Sequence, residues 1–435
     1  MGLAPLALFL TAGPAWAEAG DHVHLGQAEL VPSVQLATEY QTNPYLEEGT
    51  ATDPLDPGAS LKLRPNLQLN YSTNDLKLAA GAGWGMRHYL TPGLSGLNYY
   101  SDFDTLFNMN ALPESNVGFK LTEDLRNRAR ASDVGNEEKL AEADVIGATE
   151  ANLKRLTNQT LAMIAWHPGG ALTLDVGGHF LLERYTFPYE SVPDGQPLAN
   201  QKIGYGPDLE MQWRFFPKTA MVLTGQLEKF DWTPNVRVSG ADGSKVTGKA
   251  DGLSVQGLLG VRGRVTDKIS VNVMGGYGHI RYDEDSVAGQ EGAGSLDLTA
   301  LGTDLTGLDG LIVVGEGSYT PTQDHAFTLG ARKEFADSYF TNYLDYLNLY
   351  GRYQGKYFDR LGVVGEVAFR MEDYVGVTNR EDNYLRARLD FAFRTTTFLD
   401  LGLGAIYSGR TNTDGTNPDV DYKNLLLVFG ATFTY

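Results

Sequence analysis

Histidines are the residues in this chain best suited to acid–base work or metal binding. They are His22, His24, His88, His167, His179, His279 and His325. A hydrolase would need one of them within reach of a Ser and an acid, yet no Gly-x-Ser-x-Gly turn is present. His179 has Asp175 and Glu183 at even spacing, which would put all three on one face of a strand. His22-Val-His24 supplies two ligands, and two ligands do not make a metal site. Asp414, Asn417, Asp419 and Asp421 gather the oxygens that Ca²⁺ wants, but a hydrated polar loop has the same composition. Gly243 to Lys249 resembles a phosphate loop, with Ala250 where the Mg²⁺-binding hydroxyl belongs. The residues therefore predict no catalytic group, no cofactor and no metal.

A second set of residues repeats with period two. Glu210, Gln212 and Arg214 alternate with Leu209, Met211, Trp213 and Phe215. Glu366 and Arg370 alternate with Val363, Val367 and Phe369, and Arg332 and Glu334 form a shorter step. Arg386, Arg388, Asp390 and Arg394 alternate with Leu385, Leu389, Phe391 and Phe393. Strands of this kind have one charged face and one apolar face. A charge facing lipid costs roughly 2–4 kcal/mol at mid-membrane, so the charged faces are expected to line a watery lumen. Gly81, Gly83 and Gly85 share one strand face, where missing side chains leave room for a neighbour's Tyr or for cargo. Leu153–Trp166 and Ile269–Asp283 blur the pattern, with apolar residues in both sets.

About eighteen strand-like segments, from Val31–Thr42 to Tyr422–Tyr435, position these ladders. Connections alternate in length. Ser72–Asp75, His167–Gly170, Pro217–Thr219, Thr266–Lys268 and Thr395–Thr397 are short, whereas Asn43–Ala59, Asn127–Asn152, Thr186–Gln201, Trp232–Asp251, Glu284–Gly307 and Gly409–Asp421 are long. Sorting by parity is what a transmembrane antiparallel up-and-down β-barrel shows, with both termini on the periplasmic side. The last strand ends on Phe433 and Tyr435, facing one way with Phe429, Leu427 and Leu425, and so suits an assembly signal. The 127–152 loop carries a helix-favouring run, Asn136–Ile146, that lies either outside the barrel or folded into it.

Composition agrees. No Cys, 51 Gly, 23 Tyr, a formal net charge of −19 and no apolar run of about 20 residues argue against nucleic-acid binding and against membrane helices. Leu3 to Trp16 is apolar and Ala15-Trp16-Ala17 suits cleavage, although no Lys or Arg precedes it. The expected divisions are a signal peptide at 1–17, a short periplasmic segment at 18–30 and an outer-membrane barrel at 31–435.

Val34–Tyr40 leading into Gln41-Thr42-Asn43-Pro44-Tyr45, Arg332–Phe335 followed by Ser338–Tyr343, and the final strand resemble the β-barrel porins of exopolysaccharide loci. That resemblance implies a channel exporting a secreted polysaccharide across the outer membrane. Its partners would be membrane lipid, the barrel-assembly machinery and a periplasmic export protein tied to an inner-membrane polymerase. A diffusion porin for ions or small solutes, or an outer-membrane enzyme or adhesin, are the alternatives.

Overall fold

A computed structural model describes residues 22–44, 57–95, 98–128, 154–186, 201–233, 237–239, 245–247, 250–283, 306–337, 343–375, 380–413 and 421–435. The expected signal peptide, the Asn136–Ile146 run, Asp414, Asn417 and Asp419 lie outside them. The strands are β1 (Val23–Leu25), β2 (Ala28–Gln41), β3 (Gly58–Ser72), β4 (Leu76–Tyr89), β5 (Tyr99–Ala111), β6 (Val117–Arg128) and β7 (Lys154–Trp166). They continue as β8 (Leu172–Thr186), β9 (Gln201–Phe216), β10 (Thr219–Thr233), β11 (Arg237–Ser239), β12 (Lys245–Thr247), β13 (Gly252–Arg264) and β14 (Ile269–Tyr282). The last are β15 (Leu308–Thr322), β16 (His325–Asp337), β17 (Tyr343–Tyr357), β18 (Leu361–Val375), β19 (Arg380–Arg394), β20 (Leu399–Asn412) and β21 (Tyr422–Thr434).

Each long strand pairs antiparallel with the next, and β21 pairs back onto β2, so eighteen strands close a barrel. The short β1 folds back on the start of β2, and β11 and β12 form a separate hairpin in the loop after β10. Following the registers once around the wall returns to β2 displaced by about 22 residues, which tilts the strands by roughly 40°. A wall of this tilt is about 35 Å across, measured backbone to backbone.

Alternation around the closed register assigns every strand an inner and an outer face. The outer face is apolar: Leu36, Trp84, Ile164, Trp213, Leu259, Leu311, Val367, Leu403 and Phe429 are all exposed there. Outward polar groups interrupt it locally, as where Thr160 donates to Glu123 at 2.5 Å and, toward the long-loop rim, Lys333 bonds Asp345 at 2.8 Å and Tyr277 donates to Asp309 at 2.8 Å. Burying such a wall in water would be costly, whereas lipid accepts it. No helix among the described residues is long and apolar enough to cross a membrane.

The connections follow the expected parity. Strand pairs β3–β4, β9–β10 and β17–β18 are joined by two or three residues, and the connections at the opposite rim include the long ones. Lys218 and Asp267 join neighbouring short turns at 2.6 Å, and the ammonium holds the Asp267 carboxyl below its ordinary range. Between β17 and β18, Phe358 and Asp359 both have positive φ, with Arg360 N donating to Tyr357 O at 3.1 Å. That is a type I′ turn made from residues that resist it. Replacing Phe358-Asp359 by Asn-Gly should stabilise the barrel by about 0.5–1 kcal/mol, read as a higher urea midpoint of the folded band. An unchanged midpoint would mean the turn carries no strain.

Candidate functional site

Lumen-facing side chains come from every second residue, and the tilt of the wall stacks them in rings. Nearest the long-loop rim, Glu372 is wholly buried between Arg370 and Arg410, with Arg410 Nη2 at 2.8 Å. Tyr374 donates to Glu372 at 2.8 Å, and Arg410 also reaches Asp382 at 3.5 Å. Arg370 lies over the rings of Tyr384 and Tyr346, at 5.0 and 6.0 Å. Across the closure, Glu39 pairs with Arg87 at 2.8 Å and accepts from Ser60, while Arg87 sits over Tyr99. Farther round, Arg155 pairs with Glu183 at 2.6 Å, and Lys202 approaches Glu228 at 3.4 Å. Tyr89, Phe230, Trp232, Tyr282, Tyr374 and Tyr384 fill the spaces between these groups, each under 5% exposed.

Midway along the wall the pairs are more open. Arg64 reaches over β4 to Asp104, Arg126 pairs with Asp124 at 2.6 Å, and Lys120 pairs with Asp175 at 2.6 Å. Arg352 donates to Glu366 at 2.8 Å, Tyr350 donates to Glu316, and Arg332 lies over Tyr350. Glycines make these crossings possible. A Cβ on Gly83 would collide with the Arg64–Asn66–Asp104 group, and one on Gly330 would enter the Tyr350 ring. The inward stripe Gly81–Gly83–Gly85 thus gives room to an Arg–Asp pair, where a Tyr or cargo had been expected.

The residues expected to line the lumen all stand on inner faces by register. Glu210 meets Gln212 and, at 3.4 Å, Arg262, while Arg214 is exposed. Glu334 accepts from Tyr346 at 3.0 Å, Arg388 pairs with Asp390, and Arg394 approaches Asp400 at 3.7 Å. Arg386 is only 4% exposed, so it is packed into the wall and not presented to a solute. Glu372, which alternates with the same apolar set as Glu366 and Arg370, joins these networks as expected, whereas Arg352, Arg410 and Glu39 complete them and were not singled out as lumen residues from sequence. Arg410 had been placed in a loop, because β20 runs to Asn412 instead of ending at Ser408.

His179 faces the lumen, but its partners are Asp208 at 2.6 Å and Glu228 at 3.4 Å, not Asp175 or Glu183. His22 bonds Glu29 in the β1–β2 hairpin. Among the described residues no group of three His, Asp or Glu gathers in a way that could hold a metal ion.

One sector is different in kind. On the inner faces of β10, β13, β14 and β15, Ala220, Val222, Met274 and Val314 pack together with Leu258. Met163 and Ala165 of β7 and Leu181 of β8 are buried on the same side of the lumen. The two segments with blurred alternation therefore belong to an apolar stretch of inner wall.

No protein-family model and no curated protein matches the chain. Among solved structures, the outer membrane protein OpdK of Pseudomonas aeruginosa is similar at 14% identity, with 93% of this chain and 99% of that one covered and a TM-score of 0.46. OccAB3 of Acinetobacter baumannii is similar at 11% identity over 93% and 99%, with a TM-score of 0.45. The FrpB iron transporter of Neisseria meningitidis is similar at 10% identity over 93% of this chain and 65% of that one, with a TM-score of 0.47. These are likenesses of general shape.

Proposed function

We propose that the protein is an outer-membrane channel for small solutes, with a preference for anions. The observation that carries this reading is the distribution of charge. The chain is formally −19, yet Lys and Arg outnumber Asp and Glu on the inner faces of the described strands. A low-dielectric wall focuses that excess into the water it encloses, raising the local concentration of anions. Buried Arg–Glu networks line the lumen near its rim, while partly exposed Lys120, Arg262 and Arg388 remain in reach of a passing solute.

Export of a secreted polysaccharide, with a periplasmic export partner and an inner-membrane polymerase, is the second reading. The mixed signs, amides and tyrosines of the mid-lumen favour it, because a sugar chain needs many weak contacts that let go. Against it, the best-built charge groups are already saturated by one another.

Conductance in planar bilayers under a salt gradient tests the proposal. The reversal potential should show anion preference, and Lys120→Glu with Arg388→Glu should lower the anion-to-cation permeability ratio about threefold per site, a change of roughly one kT in local potential. A cation-selective wild-type channel would refute the anion preference. A clean deletion that removes surface carbohydrate and leaves small-solute permeability unchanged would replace the small-solute reading with export.

A further inference from the structure

Pairing between β15 and β16 climbs from Thr322 opposite His325 to Val313 opposite Lys333, and stops. Beyond it β15 continues to Leu308, held by β14, with Ile280 opposite Leu308. β16 continues to Asp337, held by β17, with Asp337 opposite Tyr343. The rim-side halves of these neighbours therefore have no ladder between them. At one other seam among the described strands, β5–β6, both partners also run on past their last pair, Phe103 opposite Asn127, but there β6 adds the single residue Arg128.

Phe335 fills the break. Its register partner Asp345 belongs to the outward set and bonds outward-facing Lys333 at 2.8 Å. Alternation would put Phe335 outside with them. Its ring instead lies on the inner face of β14: a Cβ built on Gly278 would overlap that ring and meet Ile312 Cδ1 at 3.0 Å. Gly278 is an inward position, opposite lumen-facing Gln256. The side chain has crossed from the outer set to the inner surface through the unladdered seam.

On the inner side the ring's surroundings are apolar. Ile280, Leu308 and Ile312 are 2%, 5% and 3% exposed. Below them lies the inner apolar stretch centred on Val222, Met274 and Val314. A dry strip thus runs from mid-lumen up to the unladdered half of this seam.

We infer that the rim-side half of the β15–β16 seam is a lateral portal, plugged by Phe335. Through it an apolar or amphipathic small molecule passes between the lumen and the outer leaflet. Opening a laddered seam in lipid strips several backbone hydrogen bonds, each costly where water is absent. Opening this one displaces an aromatic ring from a glycine floor. An entering apolar group regains the contacts that the ring gives up, so the ligand itself replaces the plug. The portal requires a barrel in a membrane and does not depend on which solute takes the axial route.

The test uses the whole barrel in lipid vesicles, with entry of the apolar dye N-phenyl-1-naphthylamine measured beside axial ion conductance. Phe335→Ala should speed dye entry several-fold with conductance unchanged. If that variant assembles poorly, as judged by heat-modifiable migration, Phe335→Leu takes its place. Gly310→Cys with Ala336→Cys occupies positions that would pair had the ladder continued, and the chain has no other thiol. Joining them with a short bis-maleimide should slow dye entry several-fold, while either single-Cys barrel treated alike should not respond. Equal dye entry in the Phe335 variant, the cross-linked barrel and the wild type would overturn the portal. So would dye entry and conductance rising together, which would mean the axial pore had widened. Absent conductance with dye entry still controlled by Phe335 would count against the small-solute channel and leave the portal standing.

Discussion

Replacing Arg410 with Met should destabilise the barrel by about 3–5 kcal/mol, the range for stripping one partner from a buried ionic group. Arg410 is 2% exposed and touches Glu372, Asp382 and the Tyr374 hydroxyl. Without it, Asp382 loses this cation and Glu372 is left with Arg370 and the Tyr374 hydroxyl, both carboxylates in a place with little water. Met fills similar volume, so a loss of that size would come from charge and not from a cavity. Glu372→Gln combined with Arg410→Met should cost less than the two changes summed, because Glu372→Gln removes the anion that Arg410→Met leaves without its cation. Lys218→Ala supplies the contrast. Its pair with Asp267 is solvent-exposed, so the urea midpoint should barely move. An Arg410→Met barrel that unfolds at the wild-type urea concentration would show that Glu372 does not depend on the pair.

Much of the wall is legible from period two alone, because lipid outside and water inside impose opposite demands on successive residues. The Leu385, Leu389, Phe391 series and the Arg386, Arg388, Asp390 series report that split directly, and the eighteen strands follow from it. What alternation does not carry is lateral neighbourhood. Which inward residue meets which depends on a register shift accumulated around the whole wall, so Arg64–Asp104 and Arg410–Asp382 are invisible within any one strand. It also fails where the inner wall is itself apolar. Met274 and Ile280 alternate with Val273 and Tyr277, and two apolar faces read as noise until the fold shows which one looks inward. Phe335 is the sharpest case: its parity says outward, and only the missing ladder beside β15 explains its turn.

Phe429→Arg and Val428→Arg are adjacent substitutions whose outcomes should separate cleanly. Phe429 is 57% exposed on the outer face at mid-height in β21, beside outward Leu403 of β20 and Thr38 of β2. An Arg there faces lipid and should cost about 2–4 kcal/mol, and adding Leu403→Arg should roughly double the loss. Most of the double variant should then fail to reach the folded, heat-modifiable form, and should be degraded. Val428 looks into the lumen, opposite Glu39 on one side and Gly404 on the other. Gly404 offers no side chain, and the nearby carboxylates of Glu39 and Asp390 are already paired with Arg87 and Arg388. A guanidinium there faces the watery lumen over a glycine and not lipid, so Val428→Arg should fold at close to wild-type levels. Membrane abundance and band shift, measured side by side, decide the matter. If the two single variants are tolerated equally, or lost equally, the inner and outer faces of the wall have been assigned wrongly, and the lumenal charge excess behind the anion channel falls with them.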